Sequence, residues 1–180
     1  MRASFKNLSV MSASLPYLAH YSVQIQQQIA TLIEQDKLGD WLRNKYQRLH
    51  GVANDNELRD YVMDLKNHYM KKTQPLSKVM YDNKIHIINQ ALGLHSYVSR
   101  VQGGKLKSKN ELRISSLFKQ TPEPFLQMIV VHELAHLKEK EHNKAFYQLC
   151  QHMLPDYHQL EFEVRVYLTE LDRSGKVFTS

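Results

Sequence analysis

The sequence predicts an α+β domain in which N-terminal helices lead into a small, mostly antiparallel sheet lying beside a metal-binding helix. Three observations predict it. Apolar residues recur at three-and-four spacing before residue 70 and after residue 121, the period of amphipathic helices. Between those regions, short β-rich runs are separated by Asp82-Asn83 and Gly103-Gly104, residues that suit turns. Finally, His132-Glu133-Leu134-Ala135-His136 sets two imidazoles one helical turn apart. At 180 residues the chain is long enough for one domain with a real core and too short for two. The expected organisation is a loose leader at 1–14, a single domain at 15–171 and a tail at 172–180. Within the domain, 15–74 reads as helical, 75–120 as the sheet and 121–171 as the metal-binding helices.

The serine-rich leader lacks periodicity, and Arg2 and Lys6 before Leu8-Ser9-Val10-Met11 make only a weak signal-peptide pattern. A cytoplasmic location is therefore expected, with Met11 as an alternative start. Over residues 15–34, Leu18, Tyr21, Ile25, Ile29, Leu32 and Ile33 mark one helical face, and Gly39 reads as the break after it. A short helix carrying Trp41, Leu42, Tyr46 and Leu49 follows, with Asp40 as its N-cap. Asn54 with Glu57 three residues on is a capping box for a third helix faced by Leu58, Tyr61, Val62, Leu65 and Tyr69.

Beyond Pro75 the period changes. Val79-Met80-Tyr81 and Ile85-His86-Ile87-Ile88 read as a hairpin around Asp82-Asn83. Residues 94–101 and 111–118 read as two further strands. Thr121-Pro122-Glu123 then starts the central helix with a capping hydroxyl and a proline at the first helical position, and the helix is expected to run to about residue 139. A helix opening at His142-Asn143 turns Ala145, Phe146, Leu149, Cys150 and Met153 inward until Pro155 stops it. The last helix, about 158–171, is marked by Leu160, Val164, Tyr167, Leu168 and Leu171.

Composition narrows the function before the motif does. No apolar run approaches the roughly 18 residues of a membrane span, so no membrane partner is expected. The single cysteine, Cys150, rules out a disulfide framework and a cysteine zinc knuckle, and its apolar setting reads as a small buried hydrophobe. A formal charge of +6 suits an acidic partner such as a nucleotide, and nucleic acid is the lesser reading because no recognition signature or basic tail points to it.

The chemistry is carried by residues 132–142. His132 and His136 share a helix face and can close on one cation, while Glu133 lies about 100° round the helix, placed to reach a water as general base rather than to ligate. His142 completes a three-histidine site if the helix ends and the chain turns back. The fourth position is then left to water, the mark of a catalytic zinc, whose bound water has a pKa of about 7. The bland alternative is a solvated helix face. Against it, Phe125-Leu126-Gln127-Met128-Ile129-Val130-Val131 predicts burial, where unpaired imidazoles are costly. One zinc ion is the expected cofactor, and nickel, cobalt or manganese would fit the same ligands. Glu161 and Glu163 are rivals to His142 as third ligand. Tyr147 and Tyr157 are candidates to hydrogen-bond an oxyanion, and His152, Tyr157 and His158 can fold back toward the metal. Arg100, Lys105, Lys107, Lys109 and Arg113 around Gly103-Gly104 make a crude phosphate cradle. The preferred reading of that connector is plainer, a hairpin tip with solvated lysines, since no helix follows the paired glycines.

Val130 to His136, with His142, Phe146 and Pro155-Asp156-Tyr157, resembles the YgjP family of metal-dependent hydrolases, itself related to the SprT-like and WLM zinc peptidases. Lys78-Val79-Met80-Tyr81-Asp82-Asn83-Lys84 and residues 98–105 extend the resemblance over most of 15–171. Arg100-Val101-Gln102-Gly103 stands where the broader family has Trp-Gly-Ser-Cys. The resemblance implies a zincin-like fold with the sheet beside the metal helix, His132, His136 and His142 as ligands and Glu133 as the catalytic residue. The first functional reading is a zinc metallopeptidase, its peptide or protein substrate lying along a strand edge such as 94–101. The alternative is a metal-dependent nucleotide hydrolase that cleaves a phosphoanhydride and holds phosphates through residues 103–109. An inactive interaction module is a third reading, weakened by the intact Glu133.

Overall fold

The computed structural model describes residues 15–85 and 111–178. A 3-10 turn at Pro16–Leu18 precedes helices α1 (Val23–Glu34), α2 (Leu38–Lys45) and α3 (Asp55–Tyr69). Strands β1 (Lys78–Asp82) and β2 (Glu111–Ser115) follow, then a 3-10 turn at Ser116–Gln120 and helices α4 (Glu123–Ala135), α5 (Lys144–Met153) and α6 (Tyr157–Ser174). Among the described residues no helix is long and apolar enough to cross a membrane.

Local chemistry sets most boundaries. Asn54 caps α3 by accepting from the Asn56 and Glu57 N–H groups, both at 3.0 Å, and Glu57 reaches back to the Ala53 N–H at 2.7 Å. Losing such a cap costs about 1 kcal/mol. Asn54→Ala is therefore expected to lower Tm by roughly 2–4 °C in a thermal melt, with metal content unchanged. The break after α1 falls at Asp36, whose φ is 53°, and Gly39 lies inside α2 rather than ending α1. A Cβ on Gly39 would stand 3.0 Å from Glu170 Oε1 and from Arg43 Nη1, so glycine lets α2 approach α6. Asp40 does not cap α2. It stands in the first turn and pairs with Arg43 at 2.7 Å, while Lys37 occupies the N-cap position.

The sheet departs from expectation. Its two described strands are parallel, with Lys78 opposite Glu111 and Asp82 opposite Ser115, so the antiparallel arrangement is wrong for this pair. Residues 83–110 comfortably exceed the dozen or so that a parallel crossover needs. At the expected hairpin turn, Asp82 accepts from the Lys84 N–H and from Arg113, each at 2.8 Å. The predicted strand at 94–101, and the expected one at 85–88 beyond Ile85, lie outside the described residues, as does the leader 1–14. β2 ends at Ser115, whose hydroxyl accepts from the Leu117 N–H and opens the following turn.

Helix α4 is the centre of the core. Its apolar residues point in every direction, as a helix covered on all sides requires, and Phe125, Leu126, Met128, Val130, Val131, Leu134 and Ala135 are fully buried. It packs against β2, α3, α5 and α6, while α3 covers β1. Thr121 does not cap it. The hydroxyl donates to the Phe118 carbonyl at 2.9 Å, and Pro122 takes the cap position. The expected tail is also partly structured, since α6 continues to Ser174 and ends at Gly175 with φ 73°. Phe178 then packs on Phe125 and Tyr167, and the Val177 carbonyl accepts from Arg43 at 3.0 Å.

Candidate metal centre

His132 is buried on the last full turn of α4, and His136 occupies the helix C-cap with its N–H still bonded to the His132 carbonyl. The helix stops about one turn earlier than its sequence suggests. Leu137 and Lys138 donate to the carbonyls three residues back, which tightens the chain and swings it round. Asn143 then caps α5 by accepting from the Phe146 N–H at 2.9 Å, and this fixes His142 just ahead of the new helix. The turn brings the third imidazole to the first two.

The three Nε2 atoms stand 3.3, 3.2 and 3.1 Å from one another. Nitrogens bound at about 2.0–2.1 Å to one tetrahedral zinc would be about 3.3 Å apart, so the spacing fits a single ion. The ring hydrogens agree. His136 Nδ1 faces the Glu139 carbonyl at 2.9 Å, and a carbonyl only accepts. Nδ1 therefore carries the hydrogen, and the neutral ring presents a bare lone pair at Nε2. Lone pairs converging at this distance repel unless a cation lies among them, so the triad can hold a metal. Phe146 forms its apolar wall, with ring centroids 5.0, 4.6 and 4.7 Å from His132, His136 and His142.

Glu133 follows His132 on α4, and the residue keeps some exposure. Burial of its carboxyl nevertheless pushes the pKa up to about 7. The rival ligands are engaged elsewhere. Glu161 pairs with Arg165 at 3.0 Å, and Glu163 accepts from Lys45, Tyr46 and Gln159. For Glu163 burial works against ionisation, but those hydrogen bonds outweigh it and hold the carboxyl below its usual range.

Two expected substrate contacts border the triad. Tyr147 is half-buried, 6.3 Å from His142 and 5.3 Å from the exposed His158 between ring centroids. Tyr157 does not fit the oxyanion role, because it is fully buried and its hydroxyl meets His132 Nδ1 at 2.7 Å. His152 is exposed and stands edge-on to Tyr69. Arg100, Lys105, Lys107 and Lys109 lie outside the described residues. Arg113 is engaged with Asp82 and Glu111. The helical spacing marks Phe146 only as a core residue. Its place against the triad depends on the turn at 136–143, which no periodicity reveals.

A family model described as "YgjP-like, metallopeptidase domain" matches residues 100–165. The UTP pyrophosphatase of Escherichia coli (strain K12) is 58% identical over 159 residues, covering 88% of this chain and 95% of that protein. The chain belongs to the YgjP-like family. No solved structure matches it.

The relative corrects the peptidase reading of this YgjP-like protein. A histidine-glutamate site activates water and is silent about the bond attacked, so the motif alone could not choose between a carbonyl and a phosphorus. The name of a relative alike over nearly its whole length carries more information on that point than a domain label spanning residues 100–165. That name is a pyrophosphatase.

Proposed function

We propose that this YgjP-like protein hydrolyses nucleoside triphosphates, UTP foremost, to the nucleoside monophosphate and pyrophosphate at a zinc ion held by His132, His136 and His142. The similarity to the UTP pyrophosphatase carries this reading. Water forms a bond to the α-phosphorus, the bond from that phosphorus to the α,β-bridging oxygen breaks, and the bridging oxygen leaves with pyrophosphate. When bound, the ion supplies Lewis acidity for water and phosphate oxygens. Glu133 takes the proton released by the attacking water. Its carboxyl must be ionised to do so, and positive charge beside His132 opposes the upward shift that burial produces. Zinc is chosen because three imidazoles with one open position suit it. The net charge of +6 favours a polyanionic substrate, and Lys105, Lys107 and Lys109 are proposed to hold its phosphates.

A panel of nucleoside triphosphates and peptides, offered to the zinc-loaded protein and resolved by chromatography, tests the reading. UMP and pyrophosphate from UTP are expected. A metal-loaded protein that leaves every nucleotide intact would overturn it, and UDP with phosphate would overturn the choice of bond. Replacing Lys105, Lys107 and Lys109 together with alanine should lower kcat/KM for UTP by roughly 10-fold or more, taking up to about 1 kcal/mol for each ion pair lost. The loss should shrink as salt rises. Unchanged kinetics at low salt would remove these lysines from the phosphate site.

A further inference from the structure

Tyr157 is the first residue of α6, placed there by a turn in which its N–H donates to the Leu154 carbonyl at 2.9 Å. Its ring lies nearly parallel to that of His132, 19° between planes, and its hydroxyl is 2.7 Å from His132 Nδ1. A hydroxyl can donate or accept there, and the two cases differ for the metal. If it donated, the neutral imidazole would carry its hydrogen on Nε2, the nitrogen that faces His136 and His142 at 3.3 and 3.2 Å. That ring could not ligate.

The triad itself decides the direction. Its three Nε2 atoms converge at 3.3, 3.2 and 3.1 Å, which leaves no place for a ring hydrogen among them if all three serve one ion. His132 must then carry its hydrogen on Nδ1, and the Tyr157 oxygen 2.7 Å away is its acceptor. Both residues are buried. The bond ties α4 to α6.

We propose that Tyr157 is a positioning residue for His132: its hydroxyl accepts the Nδ1 hydrogen and keeps Nε2 bare for the metal. The proposal rests on the reading of the triad as a metal site and is independent of the substrate. Outer hydrogen bonds of this kind typically contribute 10–100-fold, in round numbers, to metal affinity.

The test is zinc affinity, measured by competition with a chromophoric chelator, together with nitrogen-15 spectra of the imidazoles in the zinc-loaded protein. In the wild type the His132 Nδ1 hydrogen should be visible and slow to exchange with water. Tyr157→Phe should bind zinc roughly 10–100-fold more weakly, with an unchanged far-ultraviolet circular dichroism spectrum and faster exchange at His132. Equal affinity in wild type and Tyr157→Phe would overturn the proposal. So would a wild-type His132 that carries its hydrogen on Nε2, a result readable even if the phenylalanine variant fails to fold. Wild-type protein that binds no zinc would sink the metal reading and this proposal with it, whereas tight wild-type binding with no variant effect would sink this proposal alone.

Discussion

Glu133→Gln is expected to cut nucleotide turnover by roughly 100-fold or more, the order of a positioned general base. That factor corresponds to about 2.7 kcal/mol of barrier. Glutamine keeps the size of the side chain and cannot accept the proton that water must lose. Because Glu133 stands apart from the imidazoles that converge, the zinc content of the variant should match that of wild type. The deficit should appear in kcat with KM little changed, the pattern of an interaction made in the transition state. The pH profile adds a second readout. Burial raises the carboxyl toward about 7 and nearby positive charge lowers it, so wild-type kcat should climb as pH rises through the resulting value. In Glu133→Gln that acidic limb should be missing. Wild-type turnover by the variant on a verified nucleotide would remove Glu133 from the reaction.

The parts of this protein that were legible in the sequence are those set by local spacing. His132 and His136 are four apart on an apolar helix, and that relation survives in the structure through the bond from the His136 N–H to the His132 carbonyl. The Asn54 cap and the inward faces of α3, α5 and α6 are equally local, except that Ala145, expected on the inner face of α5, is exposed in its first turn. The misreadings have a common physical cause, contacts made far along the chain. Leu137-Lys138-Glu139 are good helix formers, and propensity alone extends α4 through them. The structure instead uses the Glu139 carbonyl to hold His136 Nδ1 and turns the chain to deliver His142. The parallel pairing of Lys78–Asp82 with Glu111–Ser115 joins runs far apart in the chain, and no local pattern announces its sense. Val177 and Phe178 are too few to show a period, yet Phe178 finds Phe125 and Tyr167 across the core. The reaction class was hidden for a different reason. A site that activates water carries no record of the electrophile, which is recognised by other residues, and the candidate phosphate contacts occur as scattered lysines without a sequence motif to mark them.

Of the three imidazoles, His142 gives the sharpest test of the centre. It is half-buried in the connection between α4 and α5, whereas His132 is buried within the core, so its loss perturbs packing least. His142→Ala should weaken zinc by more than roughly 100-fold, beyond the 10–100-fold, in round numbers, of a lost outer hydrogen bond. Nucleotide turnover should vanish with the metal. Neither of the rival ligands on α6 is free to replace the missing imidazole, Glu161 being paired with Arg165 and Glu163 held by Lys45, Tyr46 and Gln159. In wild type the dependence on pH has a definite sign. Ligands must be neutral imidazoles, whose ordinary pKa is about 6.5, so protons compete with zinc as pH falls and binding releases them. Zinc affinity should therefore be full above about pH 7.5 and decline steeply below about 6. The stabilisation that zinc gives the fold should decline over the same window, read as a falling difference in Tm between loaded and metal-free protein. Stoichiometric zinc retained by His142→Ala at neutral pH, or an affinity in wild type that is flat from pH 5 to 8, would show that the triad is not the metal site.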